Sequence, residues 1–359
     1  MNRPATIADV ARLAGWSIAT VSRHVNGAGK VSPEAAAAIQ RSIEELGYVP
    51  SASARGLVSQ QTGMIGLVLP AVRDESPVVE SNNLVEYDAQ TATQIAEVCH
   101  SYQNDIIRGA ESAAWEIGHA ITIAAVRDPE ANSRVRDMAS RVDGLVVVGD
   151  AVEANLLTHL ARRVPVVLVD STRHESIHDY VDSADAVGAG LLAQHLVEEH
   201  GVTQLVFVAG TSLTAVERRC FTVLERLGAT LLQVSDATAS EPEVVAALVQ
   251  RREDTGRLGL VCSSDELGVR VLRLAEQAGL SVPDDAAITG FDDCRIGRAA
   301  KPRLTSVRQA PLDLGALAVE ALQRRLSNPQ SEPQHYEVPI TVVVRESCGA
   351  HSTSPPVSA

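Results

Sequence analysis

Thr6-Ile7-Ala8-Asp9-Val10-Ala11-Arg12-Leu13-Ala14-Gly15-Trp16-Ser17-Ile18-Ala19-Thr20-Val21-Ser22-Arg23 is the stretch from which the rest of the chain can be read. Thr6 has the chemistry of a helix N-cap, and Asp9 follows at the spacing of an acidic capping box. Ile7, Val10, Ala11 and Ala14 recur at helical spacing and make one apolar face. Gly15 can leave that helix in the left-handed conformation, Trp16 can plug the corner, and Ser17 can cap a second helix. The second helix turns Val21 and Val25 inward and leaves Ile18, Ala19, Ser22 and Arg23 outside. A helix-turn-helix needs this layout, because its second helix must be short and small enough to enter a major groove. The plainer alternative is two ordinary helices of a small bundle, with Arg23 a solvated charge.

The rest of the 359 residues is too long for a lone head and suits further domains. A hydrophobic content of 45% and a mean hydropathy of +0.04 describe a globular protein with a sizeable core. No apolar run approaches the roughly 20 residues of a membrane span. The N-terminus lacks a basic-plus-hydrophobic leader, so a cytoplasmic location is expected. Cys99, Cys220, Cys262, Cys294 and Cys348 form an odd set without a CxxC pair, which fits reduced thiols. The net charge of −14 is unevenly placed. Residues 1–60 carry Arg3, Arg12, Arg23, Lys30, Arg41 and Arg55 against Asp9, Glu34, Glu44 and Glu45, a net +2, which leaves −16 on the remainder. An acidic body repels phosphate, so any nucleic-acid contact is confined to the head, and two heads must act together for useful affinity.

Residues 61–345 alternate short β-branched runs with amphipathic stretches. Met64–Leu69, Ala120–Ala125, Gly144–Val148, Val164–Val169, Leu205–Val208, Leu258–Cys262 and Ala287–Thr289 read as buried parallel strands. Asp105–Ile117, Ala186–Glu199 and Glu266–Ala278 read as helices between them. The fold class expected is therefore an all-α helix-turn-helix head plus hinge, joined to an α/β core of two doubly wound parallel-sheet lobes that separate near Asp170–Tyr180. Ligands of such folds sit at the carboxyl ends of the strands. Residues 71–99 are an insertion, with one basic against six acidic residues between Arg73 and Glu97. It reads as an acidic flap, or as an added hairpin or helix. His174-Glu175-Ser176-Ile177-His178 matches the HExxH of zinc hydrolases, but no helical periodicity surrounds it. No metal ligand set or cofactor is assigned.

The chain resembles the LacI/GalR family of transcriptional repressors. The residues that carry the likeness are Thr6 to Arg23, Asn26-Gly27, Lys30-Val31-Ser32, Ile43-Glu44-Glu45-Leu46-Gly47-Tyr48-Val49-Pro50 and Ala54-Arg55-Gly56-Leu57. Val142-Asp143-Gly144-Leu145, Ser264-Asp265-Glu266-Leu267, Gly290-Phe291-Asp292-Asp293 and Pro302-Arg303-Leu304-Thr305-Ser306-Val307 extend it, the core being periplasmic-binding-protein-like. The resemblance implies a DNA-binding domain at 1–49, a hinge helix and linker at 50–60, a two-lobed effector-binding and dimerisation core at 61–347 and a disordered tail at 348–359. Lobe 1 is expected at about 61–171 and 301–331, lobe 2 at about 172–300 and 332–347.

By the same resemblance Ile18, Ala19 and Arg23 read bases, Arg23 with the chemistry for a bidentate contact to guanine. Thr6, Ser17, Thr20, Ser22, Asn26 and Ser32 match positions that bond phosphates, which set register without reading sequence. Trp16 stands where the family mostly has valine and reads as a larger core plug. Ala54 and Leu57 match the hinge positions in the minor groove, Leu57 as the wedge at the central base step. Asp170, Arg218, Ser264, Asp265 and Asp292 are the effector candidates, each aspartate having the alternative reading of a loop residue capping the next helix, and Arg218 serving only if its loop shifts by one residue. Glu217 occupies the position where the family usually has an effector-contacting arginine, and Val148 replaces a residue often polar in sugar binders. The expected partners are a pseudo-palindromic double-stranded operator, a small-molecule effector such as a sugar, and a second copy in a homodimer or tetramer, with no membrane. A solute-binding protein of a transport system is the rival reading, and a zinc hydrolase using HESIH a remote one.

A Leu57→Ala variant is expected to lose far more specific than non-specific operator affinity in a gel-shift series, because only the specific complex includes a kinked central step. Equal losses would remove Leu57 from the role of wedge.

Overall fold

The computed structural model describes residues 5–25, 30–48, 61–71, 101–126, 131–171, 173, 177–211, 213–234, 245–246, 248–250, 256–349 and 357–358. Asn26, Ala54, Leu57, residues 72–99 of the insertion, and His174 and Glu175 lie outside them. The chain divides into two units, the first comprising 1–64 with 141–143 and the second 65–140 with 144–359.

In the first unit α1 (Ile7–Ala14), α2 (Ile18–Val25) and α3 (Pro33–Leu46) pack around Val10, Ala11, Val21 and Ile39. Thr6 and Asp9 form the expected capping box, the Thr6 hydroxyl donating to Asp9 Oδ2 at 2.6 Å. Gly15 closes α1 at φ 73. Ser32 caps α3, Pro33 opens it, and Gly47 ends it at φ 57. Trp16 departs from expectation: it is 39% exposed and is no core plug. Val10, Val21 and Ile39 already fill this small interior, with Tyr48 and Leu46 at its margin. The head is thus closed by four caps and four apolar side chains.

In the second unit the strands fall into two sheets. Lobe 1 holds β1 (Met64–Pro70), β2 (Ala120–Val126), β3 (Gly144–Val148), β4 (Val166–Val169), β5 (Asp179–Ser183) and β11 (His335–Val338) in the order β11-β5-β4-β3-β1-β2. Lobe 2 holds β6 (Val202–Gly210), β7 (Thr230–Val234), β8 (Arg257–Cys262), β9 (Ala286–Phe291), β10 (Thr305–Arg308), β12 (Thr341–Val343) and β13 (Val357–Ser358) in the order β13-β12-β10-β9-β8-β6-β7. The pairings among β1, β3, β4, β5 and β11 and among β6, β7, β8, β9 and β10 are parallel, and β12 pairs antiparallel with β10 and β13. The helices are α4 (Ser101–Glu116), α5 (Ala131–Ala139), α6 (Ala154–Ala161), α7 (Asp185–His200), α8 (Ala215–Arg226), α9 (Asp265–Gln277), α10 (Arg295–Ala299) and α11 (Pro311–Ser327).

The sheets correct three boundaries. The lobes separate after Ser183 and not near Asp170–Tyr180, so residues 177–183 and 335–338 belong to lobe 1 and residues 301–308 to lobe 2. The reason is β5: it has little apolar content, yet every residue of it is buried. Its Asp179 is fully buried and bonds Arg324, Arg325 Nε at 2.8 Å and the Gln334 N–H at 2.9 Å, so paired charge takes the place of hydrophobicity. The tail is also shorter than expected at both ends. Cys348 is buried in a 3-10 turn (Glu346–Cys348), and Val357–Ser358 add an antiparallel edge to β12.

Lobe 1 is held by a close crossing of α4 and α11. A Cβ on Gly109 would lie 1.9 Å from the Leu312 carbonyl oxygen, and one on Gly315 would lie 2.1 Å from that of Ile106. Glycine at both positions lets the two backbones touch, which buries Ile106, Ala110, Ala114, Leu314, Ala318 and Leu322 around them. A Gly315→Ala variant must therefore separate the helices, and a loss of about 1–3 kcal/mol is expected, read as a lowered thermal midpoint. Gly210→Ala, whose added methyl meets nothing within 4 Å, is the control and is expected to stay close to the parent.

Candidate functional site

The head presents a small reading surface. Ile18 is 53% exposed, Ala19 and Arg23 are exposed beside it, and Val21 on the opposite side of α2 is buried. Arg23 Nε donates to the Ala19 carbonyl at 3.3 Å, a bond to its own preceding turn. Three of the phosphate candidates sit at helix starts: Thr6 and Ser32 cap α1 and α3, and Ser17 Oγ accepts the Thr20 N–H at 3.1 Å. Thr20 and Ser17 hydroxyls also meet at 2.8 Å, and Ser22 is half-buried on α2. Helix N-termini place N–H groups and hydroxyls outward, which is what a phosphate needs. Where the chain leaves the hinge, Asp143 accepts the Thr62 N–H at 2.6 Å, the Thr62 hydroxyl at 3.0 Å and the Gly63 N–H at 2.8 Å. That anchor was visible in the sequence only as a family block without a role.

The core unit contains a cavity of about 470 Å³ whose lining includes Tyr102, Asp105, Asp292, Arg308, Gln309 and Leu312. This is a volume suited to a small molecule. It lies at the carboxyl ends of the strands. β9 ends at Phe291, and the next two residues adopt left-handed backbone, φ 90 at Asp292 and φ 50 at Asp293. Asp293 turns inward and accepts from Arg308 Nε at 2.6 Å, from Arg298 Nη2 at 3.1 Å and from Arg345. Asp292 turns to the cavity. Among the described residues its carboxylate accepts no hydrogen bond, and burial, then Glu266, Asp265, Asp185 and Glu217, hold it well above the usual carboxylate range.

Asp170 ends β4 at φ 49 and accepts the Tyr102 hydroxyl at 2.6 Å and the Ser183 N–H at 3.3 Å. Burial raises it against those two bonds. Asp185, first residue of α7, accepts Gln309 Nε2 at 2.6 Å, and burial, then Asp170, push it up to about 7. Among the described residues, Asp185 Oδ2, Gln309 Oε1 and Ser183 Oγ are buried without a hydrogen-bond partner. They lie on two segments that cross between the lobes, β5 to α7 and β10 to α11. An unpaired buried polar group costs about 1–3 kcal/mol, so these segments hold unmet hydrogen-bonding capacity.

Of the five effector candidates the structure places Asp292 in the cavity lining and Asp170 behind it, bonded to the lining residue Tyr102, and the other three elsewhere. Arg218 points out, its guanidinium on the Leu213 carbonyl at 2.7 Å. The reason is the start of α8: Thr214 and Glu217 form a capping box that fixes the helix phase, and Arg219 then faces inward. Arg219 donates to the Ser171 carbonyl at 3.3 Å and to the Tyr180 hydroxyl at 3.2 Å, reaching from a lobe 2 helix to lobe 1. Ser264 is the N-cap of α9, its oxygen accepting the Leu267 N–H at 3.2 Å. Asp265 is fully buried with both oxygens engaged, Oδ1 by Ser306 Oγ at 2.6 Å and Oδ2 by the Cys294 N–H at 2.7 Å. It does not cap α9; it fastens that helix to β10 and to the start of α10. Gly290 and Gly297 make room for it, since a Cβ on either would fall within 2.6 Å of its carboxylate.

Sequence reasoning missed Tyr102, Arg219, Asp185 and Gln309. Two of them were legible in principle. Tyr102 stands four residues before buried Ile106 on α4, and Arg219 shares a helical face with Val216 and Val223. Gln309 carries no local signal. Ile177 and His178 lie in a turn that leads into β5, not on a helix, which leaves HExxH without the geometry that it needs. No helix among the described residues is long and apolar enough to cross a membrane.

Comparison with known proteins agrees with this layout. Residues 193–348 match the periplasmic binding protein-like domain. The ribose operon repressor of Halalkalibacterium halodurans is 29% identical over 349 residues, covering 95% of this chain and 96% of that protein. A complex of the transcriptional regulator CelR with cellobiose superposes with a TM-score of 0.62 at 25% identity, over 96% of this chain and 99% of that one. A lac repressor dimer bound to operator superposes at 0.76 and 22% identity, over 97% and 100%. Residues 6–51 match the bacterial regulatory proteins of the lacI family, so the chain joins a lacI-family DNA-binding domain to a periplasmic-binding-protein-like domain.

Proposed function

We propose that this protein is a cytoplasmic, dimeric DNA-binding transcriptional repressor whose operator affinity is set by a polyhydroxylated small molecule, of the sugar class, bound in the core cleft. The observation that carries the effector class is the excess of acceptors over donors. Asp292 has no donor among the described residues, and Asp185 Oδ2 and Gln309 Oε1 are unpaired nearby. A ligand with several hydroxyl donors meets that need, and it does so without adding charge to an already acidic site. The names of the ribose operon repressor and of the CelR–cellobiose complex point to the same class. No catalytic role is assigned to the cleft carboxylates.

Arg219 and Tyr102 are the groups that would report occupancy. Arg219 joins α8 to lobe 1, and Tyr102 holds Asp170 beside the crossover at Ser183, so a ligand competing for either shifts the lobe geometry. The segment at 61–64 carries that shift to the hinge, where marginal helices over 50–60 order or melt. Two copies are needed because a head of net +2 binds weakly alone. Trp115, 78% exposed on α4, is the side chain that we place at the dimer face.

Asp292→Asn is expected to weaken binding of the active sugar at least tenfold in calorimetry against ribose, cellobiose and related sugars. The thermal midpoint of the free protein should change little. A sugar that binds equally well to the variant would place the site elsewhere. In the head, Arg23→Ala is expected to relax preference at one base position per half-site, by about 1–3 kcal/mol. An unchanged base preference in a selection assay would restrict Arg23 to phosphate contact.

A further inference from the structure

On lobe 2, away from the cleft residues, three soft donors converge. α7 ends with His195 and, five residues on, His200, its last residue before Gly201 closes the helix at φ 63. The two Nε2 atoms stand 3.1 Å apart. Cys348 Sγ, from the 3-10 turn near the chain's end, is 3.6 Å from His195 Nε2, and no two of the three donor atoms are more than 4.8 Å apart. Both imidazoles are half-buried and the thiol is fully buried.

We propose that His195, His200 and Cys348 form a zinc(II) site, with the fourth position open to water. Zinc–nitrogen distances near 2.0 Å and zinc–sulfur distances near 2.3 Å imply tetrahedral edges of roughly 3.3 Å between nitrogens and roughly 3.6 Å between nitrogen and sulfur. The two measured edges are 3.1 and 3.6 Å. A single proton shared between the nitrogens satisfies that pair, while the thiol donates to the Arg345 carbonyl at 3.3 Å, so proton-sharing does not join the three donors. A cation satisfies all three, releasing the Cys348 proton to solvent as the thiolate binds. The Thr305 hydroxyl, 3.1 Å from Sγ, then supports the thiolate from behind. Burial holds both histidines below their usual range, in the neutral form that binds metal. Around the site, Glu199 favours a cation, while the Arg257 guanidinium opposes one from its bonds to the carbonyls of His200, Pro283 and Cys348. The ion would join the end of α7 to the turn that follows β12, and so bind the last part of the chain into lobe 2.

The test is titration of the tag-free, full-length protein with zinc, and separately with cobalt(II) as a spectroscopic probe. The expected result is one ion per chain, a higher thermal midpoint with zinc, and a thiolate-to-cobalt charge-transfer band with tetrahedral visible absorption. Cys348→Ser should abolish that band. Because Cys348 is buried, His200→Asn at the helix end is the milder variant, and it should weaken zinc at least about tenfold while keeping the metal-free midpoint. His178→Ala, in the HExxH stretch, should bind zinc like the parent. Absence of stoichiometric binding, loss of binding in His178→Ala instead, or a copper-selective site with an intense visible band would each overturn the assignment.

Discussion

One buried carboxylate organises lobe 2. Asp293 is fully buried, and it draws Arg308 from β10, Arg298 from α10 and Arg345 from beyond β12 onto its two oxygens. Its N–H donates to Ser306 Oγ at 3.0 Å, and Ser306 in turn donates to Asp265, which holds the Cys294 N–H. Left-handed backbone at two successive non-glycine residues is costly, of the order of 1–3 kcal/mol each, and persists only where the surroundings over-determine it. Here three arginines and a chain of hydrogen bonds do so. The direct result is that Asp292, the residue before it, is aimed at the cavity, where among the described residues its carboxylate accepts no hydrogen bond. The orientation of Asp292 toward the cavity is thus a by-product of how Asp293 is held.

The head and the core differ in how far their sequences disclosed them. Caps and periodicity are local, so Thr6, Gly15, Ser17 and the inward Val21 could be read directly, and the apolar strands β1, β3, β4, β8 and β9 likewise. β5 was hidden because its burial depends on Arg324 and Arg325, which arrive some 145 residues later in the chain. Trp16 was misjudged since composition favours burying an indole, while the available space was already taken by smaller side chains. Asp170 and Asp292 do stand at the ends of β4 and β9, where the alternation of strands and helices put them. Arg218 failed by one position because the phase of α8 is set by a capping box that places Glu217 at its third residue. Asp265 failed because a carboxylate after a strand can be spent inside the fold as easily as on a ligand.

The distribution of charge separates two kinds of acid in this chain. Asp179 and Asp293 are buried against arginines and serve as fasteners. Asp170, Asp185 and Asp292 carry no such arginine fastening, and burial first, with neighbouring acids after it, raises their affinity for protons. Fasteners resist change, whereas a cluster of mutually repelling acids gains from any donor that enters. Placed beside the crossovers at Ser183 and Gln309, the second kind makes lobe geometry sensitive to what occupies the cleft.

The tight glycine crossing of α4 and α11 has a consequence for biosynthesis. It joins residues 101–116 to residues 311–327, and lobe 2 lies almost wholly between them in the chain. Lobe 1 also waits for β11 at residues 335–338, and lobe 2 for β12 at 341–343. Neither sheet can be completed until these late strands have been synthesised. Only the head, whose contacts span fewer than fifty residues, can mature on the ribosome, so each nascent copy carries a folded reading head ahead of an unfinished body.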